Sequence, residues 1–381
     1  MIIVALEIVL LIAIAVSVAF YIWCGICLIR FRTTIKGKMS VDKPPVSLLV
    51  PVCGVDEDAR ENWASFCKQD YKNYEVLFGV MNPQDPAVPI LEELVAEFGD
   101  RAQLHFCLEV RGINHKISNL MHLLEFAQHE TVIFADSDIC VTPNYLSTVT
   151  EPLGDASVGI VTCGYLDRAP KGFGAALASL GRCIDFIPSV LVARSLDGSL
   201  RFAIGPTIAT RKSVLADIGG LQSLLNRIGI DYHIGKMVAD AGYEVKLSEY
   251  ILQNNCGRET LEKVFLRELR WAKTIRLNYG WKYYTIGLSY GTVYSIPLLL
   301  LCGFESWAVI LCFATFTTRM IQILIAIRRL DCPKLLHWLW LLPMRELLNF
   351  AIWVGGCFGQ SVNWRGRVLY IGPDGLLTCD R

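Results

Sequence analysis

From Ile2 to Ile29 the chain is almost continuously apolar, broken by a single charge at Glu7. That run is longer than the roughly 20 residues needed to cross a bilayer. Its basic residues, Arg30, Arg32, Lys36 and Lys38, follow the run, whereas a cleavable signal carries its positive charge ahead of a shorter apolar core. The pattern predicts a retained anchor over 1–38 with its basic flank in the cytoplasm. Between Val41 and Trp281 the period changes. VSLLVPV, YEVLFGVM, AQLHFCL, TVIFA and VGIVTC read as buried strands, and NHKISNLMHLLEFAQ reads as an amphipathic helix between two of them. This predicts an α/β domain over 41–281, with no internal repeat or low-complexity linker dividing it.

Beyond Trp281 the chain turns apolar again. Tyr283–Phe304 and Trp307–Ile327, separated by Glu305-Ser306 and followed by Arg328 and Arg329, predict a membrane hairpin that returns to the cytoplasm. The last apolar stretch, Leu335–Phe358, contains Pro343, Arg345 and Glu346, which are expensive in lipid unless they face protein, water or headgroups. It is expected to be re-entrant or interfacial, leaving a cytoplasmic tail with Arg365 and Arg367. These segments form the third region, 282–381.

Composition agrees with a membrane protein: 53% of the residues are hydrophobic and the mean hydropathy is +0.41. Lys+Arg 36 balances Asp+Glu 36, which gives no basic surplus for a polyanionic partner, so nucleic acid is not expected. The 14 Cys are scattered through apparent core and membrane segments, as in a protein with a reducing cytosolic face. Cys24 and Cys27 have redox or zinc spacing but lie inside an apolar run, where thiols behave as small hydrophobes. Six His, among them His115 and His122, show no metal-ligand spacing, so no zinc site is expected.

The candidate chemistry begins at FADSDI, Phe134–Ile139, just past the carboxyl end of a predicted strand, where α/β sheets place ligands. Asp136 and Asp138 offer two hard oxygen ligands that a turn can converge on a divalent ion. Alone, the pair reads equally well as a polar turn. Asp85, between Pro83 and Pro86, sits in a loop after another strand; it reads as a turn residue or as an acceptor for a base or ribose. In NHKISNL, Asn114 reads as a helix cap, and Lys116 either stays solvated or meets a diphosphate near the helix start. Asp231, near the start of an amphipathic helix, either offsets the helix dipole or serves as a general base. In FLRELRWAKTIR, Lys273 and Arg276 read as headgroup contacts, whereas Arg270 with Trp271 suits a leaving diphosphate beside a lipid acceptor.

Taken in order, Asp85, NHKISNL, DSD, IDYHIG and RELRWAK resemble the inverting, membrane-bound glycosyltransferases of the ceramide glucosyltransferase family. AALASLGRCIDFIPSVLVAR and IGPTIATRKSVLADIGGL are most similar to its bacterial branch, which includes hopanoid-associated glycosyltransferases. The resemblance implies a GT-A fold, a UDP-sugar donor and Mg2+ or Mn2+. By the same resemblance Asp85 meets the uridine part, Asp136 the nucleotide-sugar and the metal, and Asp138 the metal. Asp231 is the base, Arg267, Arg270 and Trp271 form the (Q/R)xxRW element, and Lys116 and Asn119 lie around the donor. Two departures bear on the acceptor: Ile187-Pro188 stands where animal ceramide enzymes carry His-Pro, and Asp138 where they commonly carry Gly. UDP-glucose and UDP-GlcNAc both remain as donors, and ceramide, a hopanoid or another lipid alcohol as acceptor. The implied location is a bacterial inner membrane with the catalytic domain facing the cytoplasm. A processive polysaccharide synthase and a non-catalytic nucleotide-sugar-binding scaffold are the competing expectations.

Overall fold

The computed structural model describes residues 2–31, 43–254, 257, 259–364 and 367–379. The basic flank at Arg32, Lys36 and Lys38, and Arg365 in the tail, lie outside the described residues. The chain divides into an α/β unit (Thr33–Asp167, Leu196–Gly257 and Leu369–Arg381) and a helical unit (Met1–Arg32, Arg168–Ser195 and Arg258–Val368).

The α/β unit is built on a seven-stranded sheet. Its strands are β1 (Val46–Val52), β2 (Tyr74–Val80), β3 (Ala102–Phe106), β4 (Thr131–Ala135), β5 (Val158–Leu166), β6 (Thr207–Arg211) and β7 (Glu244–Gln253). The order is β3-β2-β1-β4-β6-β5-β7. β1 pairs in parallel with β2 and β4, β2 with β3, and β5 with β7, while β6 runs antiparallel to both β4 and β5. The five expected strands are all present. They read clearly because β1, β2, β4 and β5 are buried along nearly their whole length, which demands unbroken apolar runs. β6 lacks such a run: its buried Thr210 donates to Gly159 O at 2.7 Å, and Thr162 donates to Thr207 O at 2.8 Å.

The chain leaves β1 outward to β2 and β3 and then returns to β4 on the other side of β1, so a topological switch point lies at the carboxyl ends of β1 and β4. The helix His115–Phe126 makes that return. It lies tight on the sheet at Gly79 of β2, where an added Cβ would come within 2.1 Å of Asn119 Oδ1 and 3.0 Å of both Leu123 methyls.

Among the described residues, three helices are long and apolar enough to cross a membrane: Ile2–Arg30, Phe173–Asp197 and Ser306–Arg329. Ile2–Arg30 and Ser306–Arg329 match the expected anchor and second hairpin arm. The other arm differs from expectation. Tyr283–Phe304 is not one straight helix; a 3-10 segment, Gly280–Ser289, precedes a short helix, Gly291–Leu301, and the Leu261–Ser289 stretch bends by 57° against it. Phe173–Asp197, within the region expected to be catalytic, includes a π-helical turn at Arg182–Phe186 and lies largely in the helical unit. The helix Leu342–Gly356 has 15 residues; at 1.5 Å rise it reaches about 22 Å, short of the roughly 30 Å hydrocarbon core.

Asp185, Arg319, Arg345 and Glu346, charged residues within these apolar segments, are paired inside the protein. Buried Arg319 donates to Glu346 Oε1 at 2.7 and 3.0 Å, to Asp185 Oδ1 at 2.5 Å and to Gln322 Oε1 at 2.7 Å. Its guanidinium also lies 4.8 Å from the centre of the Tyr21 ring. Thr292 donates to the second Glu346 oxygen at 2.6 Å, and Asn349 to the second Asp185 oxygen at 2.7 Å. Arg345 forms a two-pronged pair with Glu268 at 2.8 and 3.1 Å. Arg345 and Glu346 thus face protein, the condition under which such residues persist among apolar helices. Glu346→Ala would strand part of a buried guanidinium; we expect it to lower unfolding free energy in detergent by about 3 kcal/mol, measured by thermal or chemical denaturation.

Candidate active site

FADSDI forms the turn that leaves β4 at the switch point, and its neighbours hold it residue by residue. The Asp136 amide donates to Pro206 O at 3.3 Å, the Trp63 indole N–H to Ser137 O at 3.1 Å, and Asn254 Nδ2 to Asp138 O at 3.0 Å. One residue beyond Ile139, the Cys140 amide donates to Gln253 O at 2.8 Å. With its backbone committed to these partners, the turn leaves Asp138 exposed and Asp136 half-buried.

Lys116 reaches Asp136 from the helix His115–Phe126. Asn114 caps that helix, its Oδ1 accepting from the Lys116 amide at 3.1 Å and the Ile117 amide at 3.3 Å, while its Nδ2 donates to Arg227 O at 2.7 Å. The cap is therefore real, but the lysine is not simply solvated: its ammonium forms a short ion pair with Asp136 Oδ1. About a quarter of each side chain remains open, 26% for Lys116 and 29% for Asp136.

Asp231 enters from the first turn of the helix Ile230–Asp240, which follows Gly229 in the left-handed region at φ 71°. Its Oδ2 accepts from the Gly205 amide at 3.1 Å, and its carbonyl accepts from the Ala203 amide at 3.2 Å. The dipeptide Gly205-Pro206 thus binds Asp231 through one residue and Asp136 through the next. A Cβ at Gly205 would lie 3.3 Å from Asp231 Oδ2 and 3.9 Å from Asp136 Oδ2, so both carboxylates converge on a position where any side chain would intrude. Sequence reasoning missed Gly205; the signal available was a Gly-Pro pair directly before a strand.

Burial raises the Asp136 carboxyl above the ordinary range; Lys116 opposes the shift, and Asp138 and Asp231 add to it. Burial likewise raises Asp231, against the Tyr232 and Gly205 amides and the Lys116 charge. For Lys116, burial acts downward, but the Asp136 charge outweighs it and the net shift is upward, so the ammonium is kept.

Asp85 has a turn role: its Oδ1 accepts from Gly54 N at 3.0 Å and Ala87 N at 2.9 Å, and its Oδ2 from Gly54 N at 3.0 Å. It ties the loop after β2 to the loop after β1, at the same edge as FADSDI. Asn119 packs its side chain against the sheet. It is buried on the sheet side of its helix, where Nδ2 donates to Gly79 O at 2.8 Å and Oδ1 has no hydrogen-bond partner among the described residues.

Among the described residues no group of three or more His, Cys, Asp or Glu is placed to hold a metal. The donor set still fits Mg2+ or Mn2+, hard ions that take one or two carboxylates and complete their shell with water and substrate phosphates. Asp136 and Asp138 are the two carboxylates of that kind here.

In the helical unit, the RELRW residues lie on the helix Leu261–Tyr279, capped by Thr260, whose hydroxyl accepts from the Lys263 amide at 3.3 Å. Arg267 pairs closely with Glu259, and its guanidinium lies 5.3 Å from the centre of the Trp271 ring one turn on. Arg270 and Trp271 are half-buried on the same helix. Lys273 and Arg276 make contacts within the protein. Arg276 Nε donates to Gly356 O at 2.7 Å and its Nη2 to Gly359 O, while Lys273 Nζ donates to Ser361 O at 3.2 Å. Carbonyls at and beyond the end of Leu342–Gly356 lack helical partners and attract cations.

A parallel-rich sheet with aspartates gathered at its switch point defines a GT-A glycosyltransferase fold. The structure agrees with that of a mannosyltransferase from Pyrobaculum calidifontis, solved in complex with GDP-Man and Mn2+, at a TM-score of 0.57 and 18% identity over 93% of this chain and 97% of that one. Residues 9–377 match Glycosyl transferase family 21, and the chain belongs to that family, the ceramide glucosyltransferase family. Ceramide glucosyltransferase 3 of Caenorhabditis elegans is 26% identical over 258 residues, covering 64% of this chain and 53% of that protein. Ceramide glucosyltransferase 1 of the same organism is 25% identical over 232 residues, covering 60% and 49%. The chain spans about half the length of these curated relatives.

Trp63→Phe keeps a ring in the core but removes the N–H that holds Ser137 O. We expect a loss of about 1–2 kcal/mol in stability, measured by thermal unfolding.

Proposed function

We propose that this chain is an inverting lipid glycosyltransferase: it moves glucose or GlcNAc from a UDP-sugar to a hydroxyl of a membrane lipid such as ceramide or a hopanoid, forming a β-linked glycolipid. The convergence of the Asp231 and Asp136 carboxylates on Gly205 carries this reading, because in-line displacement needs a base and a donor-binding acid side by side. Asp231 takes the proton from the lipid hydroxyl as its oxygen attacks the anomeric carbon, and UDP leaves. The Gly205 amide, fixed on Oδ2, orients that carboxylate. Lys116 supplies positive charge for the leaving diphosphate, and Arg267, Arg270 and Trp271 form the (Q/R)xxRW element of the helical unit. Asp136 and Asp138 would hold a divalent cation, which when bound neutralises diphosphate charge. Asp85, in the loop after β2, would meet the uridine part with the acceptor capacity left on Oδ2, which takes one backbone amide. Helices long and apolar enough to cross a bilayer support a membrane location, in this reading a bacterial inner membrane with the catalytic site facing the cytoplasm, so the acceptor arrives by lateral diffusion.

Asp231→Asn should lower transfer by about 10²–10⁴-fold, the usual worth of a general base, while UDP binding by calorimetry stays close to the parent value. Unchanged turnover would remove Asp231 as the base. Because burial raises the Asp231 pKa and the base acts deprotonated, the acidic limb of the transfer profile should lie at higher pH than an ordinary Asp would set. Chelation with EDTA should stop transfer, with Mn2+ or Mg2+ restoring it. Products from labelled UDP-sugars should run as one glycolipid on thin-layer chromatography; a ladder of polymer would favour a processive synthase.

A further inference from the structure

The mechanism proposed above gives Lys116 to the donor's diphosphate, yet in this structure its ammonium rests on Asp136, the carboxylate assigned to the divalent cation. One side chain therefore has two partners at different stages. We propose that Lys116 is a resident counter-ion that holds Asp136 until the donor arrives, so that a divalent cation binds this site strongly only when a nucleotide diphosphate draws the ammonium away. The proposal rests on the UDP-sugar reading of the same crevice.

Three observations support the exchange. First, negative charge gathers around Lys116: it pairs with Asp136, and Asp138 and Asp231 also act on its ammonium. A cation approaching Asp136 meets an occupied carboxylate, and binding it beside Lys116 sets two positive centres against each other across a few ångströms. Second, the two ends of the pair are held differently. The Asp136 backbone is fixed through Pro206, and the Lys116 amide is fixed by the Asn114 cap. The ammonium itself stands at the end of a four-carbon stem that can swing without disturbing either anchor. Third, both side chains keep open surface, so the pair is accessible to a ligand rather than sealed in the core. A diphosphate offers the displaced ammonium a stronger anion than a single carboxylate, and the vacated Asp136 oxygen becomes available to the cation.

Reciprocity then requires that UDP tighten cation binding by the same factor as the cation tightens UDP. Part of that coupling passes through Lys116. The direct test is titration of Mn2+ alone, followed by electron paramagnetic resonance of the free ion, with and without UDP, in the full-length protein and in Lys116→Gln. The parent should bind Mn2+ weakly without UDP and much more tightly with it. Lys116→Gln should bind Mn2+ alone roughly tenfold more tightly, as expected when one competing charge is removed from a partly solvated site, and should gain less from UDP. Lys116→Arg, which keeps a positive charge at this position, should bind Mn2+ alone no more tightly than the parent and serves as the folding control. Equal or weaker Mn2+ binding in Lys116→Gln without UDP would overturn the proposal while leaving the cation site in place. Failure of parent and variants alike to bind Mn2+ even with UDP would overturn the cation reading itself, and this proposal with it.

Discussion

The α/β site depends on compensation of charge at Asp136. Two carboxylates that converge on one glycine from different elements repel each other, and partial burial amplifies that repulsion. The Lys116 ion pair offsets it, which constrains the rest: the helix His115–Phe126 must begin beside the end of β4, and Asn114 must cap it so that Lys116 falls in its first turn. The close approach at Gly79 and the buried Asn119 hold this helix against the sheet. Asn119 thus acts on the site through the lysine one turn before it.

Much of this unit was legible in the sequence because parallel strands buried on both faces must be written as apolar runs. Five strands, the anchor helix, the second hairpin arm and the position of FADSDI beyond a strand follow from that rule. β6 did not, since its buried threonines satisfy themselves through side-chain bonds to Gly159 and neighbouring strands, which local polarity does not reveal. Nor was the convergence at Gly205 readable, because it depends on a turn that contacts residues on two different elements. Local analysis of Asp85 and Asn114 found their turn and cap roles, which depend on residues nearby in sequence. The partners of Lys116, Lys273 and Arg276 lie 20, 88 and 80 residues away and were not readable in the same way.

The helical unit shows the same difficulty on a larger scale. Arg319 looks like a lone charge within an apolar helix, yet its carboxylate partners are 27 and 134 residues distant. Burying that guanidinium against Glu346 and Asp185, with Tyr21 on its face, removes the main objection to placing such a helix in lipid. The cost is geometric: Asp185 must be presented by a widened helical turn, and the π-helical stretch Arg182–Phe186 is where it lies. Helices in this unit are thus joined by specific polar contacts as well as by apolar packing, and a broken partner weakens more than one helix.

The nature of each partner also separates the roles of two chemically identical side chains. Asp231 is held by a backbone amide, which is fixed in place and carries no net charge to give up. Asp136 is held by an ammonium on a flexible stem, a partner that can leave when a better anion arrives. A carboxylate whose partner cannot depart keeps its orientation through a reaction and suits proton transfer. One whose partner is exchangeable suits binding that changes with donor occupancy. Sequence alone shows three aspartates; the proposed division between base and donor ligand rests on what the fold places against each of them.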